Sequence, residues 1–288
     1  MCVGSTYASY DSTKPSKLSS VFGICVQTRI TARDPQEGSF VTNSVRDQLD
    51  RNLSEISSEI RSACERSGRS QHEVRIVAVT KYAEWPWVEE LSQLHTVFGE
   101  NRPQQLAERQ LLLPDIQWHL IGQLQKNKVR IAVRHASCIH SVDSVRLLER
   151  IAEVASAEQS PRILLQINIT GEESKSGFAP EELREQWERI CSFNKVISIC
   201  GLMTMAEESS NPEDARPAFR QLRLLRDELS EHPASTHNQL NLTELSMGMS
   251  GDFIPAVEEG ATLVRIGSRI FAGLTADHSP QDSMAGNG

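Results

Sequence analysis

The six cysteines of this 288-residue chain, at positions 2, 25, 64, 138, 191 and 200, contain no Cys-x-x-Cys pair and no Cys/His grouping with zinc spacing. They read as scattered reduced thiols in a core, which points to a reducing, cytoplasmic setting without a structural metal. No apolar run approaches the roughly 18 residues of a spanning helix, so the chain reads as soluble with no membrane partner. Positive charge is not in excess: 30 Lys and Arg face 38 Asp and Glu, a net charge of -8. No global field draws nucleic acid or an anionic membrane, although a local basic pocket can still hold a small anion. Gly-x-Gly-x-x-Gly does not follow the first strand-like segment, which removes the usual sign of dinucleotide binding.

What is present is ordinary globular material, 39% hydrophobic and 24% charged. Length alone leaves one large α/β domain or two smaller ones open. Residues 1–42 are rich in Ser and Thr with one short apolar patch, VFGICV. They are expected to form a disordered extension, with an upstream start or a targeting presequence as alternatives. From Val45, the spacing of Leu49, Leu53, Ile56, Ile60 and Ala63 predicts an amphipathic helix stopped by Gly68. Strands are expected near 74–80, 96–99, 117–121, 138–142, 162–169, 196–203, 242–247 and 262–267. Helices between them include PQQLAERQLLL from Pro103, SVRLLERIAEV from Ser144 and PEELREQWERI from Pro180. The helix after Pro212 carries Pro217, so it should start late or kink there. Eight such units suit a (β/α)8 barrel over residues 43–274, with an extra N-terminal helix and a flexible tail at 275–288. An open doubly wound sheet is the alternative.

In a barrel, the carboxy-terminal strand ends share one mouth. RIVAVTK ends a β-branched run on Lys81, a charge that is costly to bury alone. Other strand ends offer Glu100, Asn101, His119, Gly122, Asn168, Met203, Ser246, Gly248, Ser250, Arg265, Gly267 and Ser268. SMGMSGDF and RIGSRIF suit a phosphate site after the seventh and eighth strands; small-residue turns with Ser250 and Ser268 as helix caps are the plainer reading. A phosphate on one side and a lysine on the other describe a phosphorylated carbonyl ligand, because a neutral amine can condense with an aldehyde.

AVTK, FGEN, WHLIGQLQKNK, QIN, ESKSGF, GLMTM, SMGMS and RIGS, in this order, resemble the pyridoxal phosphate homeostasis protein family over residues 45 to 274. The resemblance implies an alanine-racemase-like, fold type III barrel without a C-terminal β domain, pyridoxal 5'-phosphate as ligand, and no established catalytic reaction. It further implies a role in cofactor supply, a monomer, and transient contact with apo pyridoxal phosphate enzymes. Lys81 matches the lysine that forms the internal aldimine. Ser246, Gly248, Met249, Gly267 and Ser268 match the phosphate cradle, with Asn101 and Met203 also beside the cofactor. Arg265 matches the side chain facing the pyridine nitrogen, where a guanidinium that cannot give up its proton disfavours pyridinium, the stronger electron sink. An ion pair between Arg265 and Glu100 is the alternative.

His119 is read either as ligand-facing or as a packed strand histidine. Lys126 and Lys128 read as a solvated helix start, and Lys175 as an exposed loop residue or a second handle for cofactor transfer. Arg102 stands where the family has an aromatic, and Gly251 where it has an acid, which leaves the pocket rim open. A pyridoxal phosphate-dependent racemase is the competing function. It needs a base on each face of its substrate, whereas Tyr82 is the only tyrosine beyond the N-terminal segment, and strand alternation directs it away from Lys81. A lysine-dependent aldolase acting on a phosphorylated sugar is a third reading.

Overall fold

α1 (Glu37–Ser67) opens the part of the chain described by the computed structural model, residues 37–172 and 176–275 with side chains from Val45. Its buried stripe of Leu49, Ile56, Ile60, Ala63 and Cys64 follows the spacing read from the sequence, and Gly68 at φ +69° ends it. The helix begins at Glu37, ahead of the composition boundary at 43. Expectations for the rest of the N-terminal segment, for 276–288 and for Lys175 fall outside the described residues.

Strands and helices then alternate: β1 (Arg75–Val79), α2 (Trp85–Ser92), β2 (Val97–Glu100), α3 (Pro103–Leu112), β3 (Gln117–Leu120), α4 (Val129–His135), β4 (Cys138–Val142), α5 (Val145–Val154) and β5 (Arg162–Gln166). The second half holds α6 (Pro180–Glu185), α7 (Trp187–Ser192), β6 (Ser198–Met203), α8 (Arg216–Glu231), α9 (Pro233–His237), β7 (Glu244–Met249), α10 (Phe253–Glu258) and β8 (Leu263–Ile266). Each strand pairs in parallel with the next, and β8 closes on β1, so the eight form a closed barrel rather than an open sheet.

Local chemistry explains the helix ends. α3 and α6 start on proline, whose missing N–H is no loss in a first turn. PEELREQWERI breaks at Gln186, separating α6 from α7. Pro217 is the second residue of α8, which starts late, after a 3-10 turn where Asn211 Oδ1 accepts from the Glu213 N–H at 3.3 Å.

Val77, Val97, Cys138, Leu164, Cys200, Met203 and Leu263 pack together inside the barrel. Pairing slips by one residue at three places: on β4 between Ile139 and Val142, on β6 at Cys200, and on β7 between Ser246 and Met249. Such bulges re-aim side chains, and on β7 the slip contains Gly248 at φ +89°. A Cβ at Gly248 would stand 2.6 Å from the Ala256 Cβ, so glycine is required both for its conformation and for room.

No helix follows β8 among the described residues. α1 packs against α2 and α10 and covers that flank. Buried Asn52 donates from Nδ2 to the Ile270 and Ala272 carbonyls at 2.8 and 2.9 Å, while Arg269 forks onto Glu59 at 2.7 and 2.5 Å. The first helix therefore holds the turn after the last strand.

Candidate functional site

β1 delivers Lys81 to the barrel mouth two residues past its end, after the buried run Ile76, Val77 and Ala78. The lysine is half-buried, and among the described residues no carboxylate pairs with it. Its Nζ lies 4.8 Å from the centre of the Tyr82 ring, which is 87% exposed. Tyr82 is thus not directed away from Lys81: residues 80 to 82 already form a turn, where strand alternation no longer applies.

A buried clamp holds that turn. Arg109, reaching from α3, donates from Nη1 to Glu100 Oε1 at 2.5 Å and to the Thr80 carbonyl at 2.7 Å, and from Nη2 to the Ala83 carbonyl at 3.2 Å. The Thr80 hydroxyl donates to the same carboxylate. Glu100 is fully buried, and its loss of water pushes its pKa up against the pull of Thr80 and Arg109. The expected alternative pairing of Glu100 with Arg265 does not occur, because Arg109 lies on the same side of the sheet as the carboxylate.

Arg265 instead sits inside the barrel, 4% exposed. Its Nη1 donates to the Ser246 hydroxyl at 2.7 Å and its Nη2 to the Thr204 carbonyl at 3.0 Å. Burial lowers its pKa to about 10, with Asp252 acting in the opposite sense, so it stays charged at neutral pH. Ser246 Oγ is also 2.8 Å from His140 Nδ1, and His140 Nε2 is 2.9 Å from His119 Nδ1. Burial first, then the guanidiniums of Arg75 and Arg162, lower His119 to about 3. Burial and neighbouring positive charge also hold His140 well below the usual histidine value. Both rings are neutral.

The other expected residues lie around this core. Met203 is buried at the end of β6, one position from Thr204. Asn101 is half-buried beneath the turn after β3, where a Cβ on Gly122 would come 2.3 Å from the Asn101 carbonyl oxygen. Asn168 closes its own loop, donating to the Glu172 carbonyl and accepting from the Gly171 N–H. Met249 ends β7 partly exposed, its N–H donated to Asp252 at 2.5 Å. Gly267 donates its N–H to Ser250 Oγ at 3.3 Å, so Ser250 ties the two final turns together rather than capping α10. Ser268 caps no helix among the described residues; it stands exposed in a turn. The N–H groups of Ser250, Gly251, Ser268 and Arg269 find no protein acceptor among those residues, which leaves four donors on adjacent turns free for an anion.

The opposite end of the barrel is different. Arg75 and Arg162 both meet Glu244 Oε1 at 2.5 Å, and Thr262 donates to Oε2 at 2.6 Å. Polar depressions of about 380 and 450 Å³ open there, lined by mixed charges. Carboxylates and guanidiniums offset one another on that face, which carries structural ion pairs rather than a one-sign site.

Sequence reasoning missed Arg109 and His140. Arg109 continues the buried positions of α3, Pro103 and Leu106, at three-residue spacing, a visible signal of a buried partner. His140 lies in a strand whose other residues are all buried, and its bulge could not be read from composition.

A family model described as the alanine racemase N-terminal domain matches residues 51–274. The pyridoxal phosphate homeostasis protein of Aquifex aeolicus strain VF5 is 39% identical over 223 residues, 76% of this chain and 95% of that protein. PipY of Synechococcus elongatus PCC7942, solved with PLP bound, is 36% identical with a TM-score of 0.63, over 75% of this chain and 100% of that one. An alanine racemase of Clostridium difficile 630 shares the fold at 15% identity and a TM-score of 0.60, over 80% of this chain and 58% of its own. With such identity across nearly the whole of a relative, on the barrel described above, this chain belongs to the pyridoxal phosphate homeostasis protein family.

Proposed function

We propose that this chain binds pyridoxal 5'-phosphate at the barrel mouth and serves to hold and hand on the cofactor rather than to turn over a substrate. One observation carries the fit. β1 and β8 are paired neighbours, so an unpaired half-buried lysine emerges beside turns with four unspent backbone donors. An aldehyde and a phosphate on one small molecule match that pair of features. PipY bears the cofactor at 36% identity, which supports the same ligand here.

In this reading Lys81 meets the aldehyde, while the free N–H groups of Ser250, Gly251, Ser268 and Arg269 hold the phosphate on turns shaped by Gly248, Met249 and Gly267. Asn101, Met203, Ser246 and Arg265 line the remainder. When bound, the cofactor supplies an electron-withdrawing ring that stabilises carbanions in its enzymes. Arg265 mutes that capacity: a guanidinium donates hydrogen bonds and accepts none, so a ring nitrogen meeting it stays unprotonated. Tyr82 does not restore a racemase, because it lies beside Lys81 and a two-base exchange needs groups on opposite faces. We further place the chain in the cytoplasm as a monomer that meets apo enzymes transiently. Four buried free thiols fit a reducing compartment, and no helix among the described residues is long and apolar enough to cross a membrane.

The test is the visible spectrum with added pyridoxal 5'-phosphate, followed by borohydride reduction and peptide mapping. A tag on Lys81 and no measurable alanine turnover are expected. Failure to bind, a tag elsewhere, or racemisation near one per second, about the low end of ordinary enzyme rates, would each defeat the reading.

A further inference from the structure

The hydrogen bonds beneath Arg265 have a direction. A guanidinium only donates, so the Ser246 oxygen accepts from Nη1, and its own proton must go elsewhere. His140 Nδ1, at 2.8 Å, is its remaining partner and must be the acceptor. A neutral imidazole then carries its proton on Nε2 and donates it to His119 Nδ1 at 2.9 Å. His119, accepting at Nδ1, is left with its proton on Nε2. In this arrangement the Ser246 and His140 protons each meet an acceptor, and the Ser246 oxygen takes the Arg265 donor.

We infer that His140 is a positioning residue for the mouth: by taking the Ser246 proton it fixes the hydroxyl with a lone pair toward Arg265, and so sets the guanidinium that the proposed cofactor meets. The inference rests on the proposed function for its ligand, but its hydrogen-bond arrangement is a property of the protein alone. Without an acceptor at that point, the buried Ser246 proton has no partner. It would rotate toward the Thr204 region and compete with the donors of Arg265. The bulge that re-aims β4 at this level brings His140 to Ser246, 106 residues away in sequence.

The same neighbourhood could be taken for a metal centre, since His119, Cys138 and His140 place one ligand atom each within 4.8 Å of one another. The contacts favour the relay. The facing ring nitrogens already share a proton, so neither is free to turn a lone pair on a shared ion. Arg75, Arg162 and Arg265 all bear on the His140 ring, so a dication would enter a field that is already positive.

Two variants separate positioning from packing. In His140→Asn, the amide oxygen replaces Nδ1 as acceptor for Ser246, but the link to His119 is lost. In His140→Leu both are lost. The expected result is that both variants lose stability, while pyridoxal 5'-phosphate affinity falls about tenfold in the leucine variant and stays within about twofold in the asparagine variant, as loss of one buried hydrogen bond predicts. The absorption maximum of bound cofactor should shift only in the leucine variant. Equal weakening in both, or no change in either, would overturn the inference. Imidazole 15N spectra of the wild-type chain without cofactor supply the second arm: both rings should be neutral and protonated on Nε2 at neutral pH. A His140 protonated on Nδ1, or stoichiometric zinc retained after dialysis, would overturn it. Wild-type protein that shows the expected tautomers yet binds no cofactor would instead sink the proposed function and leave the relay standing.

Discussion

Replacing Arg109 by methionine removes the guanidinium from the Lys81 turn while keeping much of the side-chain volume. Three bonds go at once: 2.5 Å to Glu100, 2.7 Å to the Thr80 carbonyl and 3.2 Å to the Ala83 carbonyl. The larger effect falls on Glu100, left fully buried with only neutral partners such as the Thr80 hydroxyl. Breaking such a pair from one side costs about 3–5 kcal/mol, because the surviving charge is neither solvated nor paired. The carboxyl has an escape, protonation. Its pKa is already raised by burial and loses the opposing pull of Arg109 in the variant. A carboxyl whose folded pKa exceeds its unfolded value costs stability as pH rises above the unfolded value of 4.5. The variant should therefore gain stability on acidification, at up to about 1.4 kcal/mol per pH unit. Urea unfolding across pH measures this, and adding Glu100→Leu should return at least half of the loss, since a well-packed apolar pair replaces a buried ion pair at little cost. A single-variant loss below about 1 kcal/mol, the value of an exposed pair, would refute the clamp.

Other perturbations test separate parts. Lys81→Ala should abolish the borohydride-fixed tag yet keep weaker binding that inorganic phosphate displaces; an unchanged spectrum would remove the lysine from the site. Gly248→Ala forces a Cβ to 2.6 Å from Ala256 at φ +89°. It should cost about 2 kcal/mol or more in urea unfolding, so a neutral substitution would show that the bulge relaxes freely. Asn52→Leu leaves the Ile270 and Ala272 carbonyls without their 2.8 and 2.9 Å donor and should cost about 1–3 kcal/mol; proteolysis after Ile270 should accelerate in step. His119, lowered to about 3, and His140, also lowered, are neutral when folded and protonate on unfolding. Their stabilisation is complete above about pH 6.5 and falls on acidification, each losing about 1.4 kcal/mol between pH 7.5 and 5.5, a slope that the His119→Gln/His140→Asn pair should flatten.

The barrel was legible in the sequence because its signals are local. RIVAV, CIHSV and RILLQ are β-branched or apolar runs of strand length, and Pro103 and Pro180 mark helix starts. Strand order then follows from the parallel crossovers, and the mouth residues follow from the order. Lys81 and the Gly267–Ser268 turn could thus be placed near one another before any contact was known. The partners of buried polar groups are another matter. Glu100 faces Arg109 nine residues on, and Asn52 meets carbonyls more than two hundred residues on. Hydrophobic periodicity cannot name such partners.

Periodicity can still say where to look. Asn52 stands three residues after Leu49 and four before Ile56, and Arg109 three after Leu106; each is a polar side chain on a buried stripe. Burial of an amide or guanidinium is tolerated only with its donors met, so each position announces an unseen acceptor. Those acceptors are the Ile270 and Ala272 carbonyls, on the turn after β8, and the Thr80 and Ala83 carbonyls, flanking Lys81. The two departures from amphipathic pattern thus mark the helices that brace the mouth: α1 holds the turn proposed for the phosphate, and α3 holds the lysine. What pattern cannot supply is the slip at His140, because a bulge changes which side chains face inward without changing which residues are apolar.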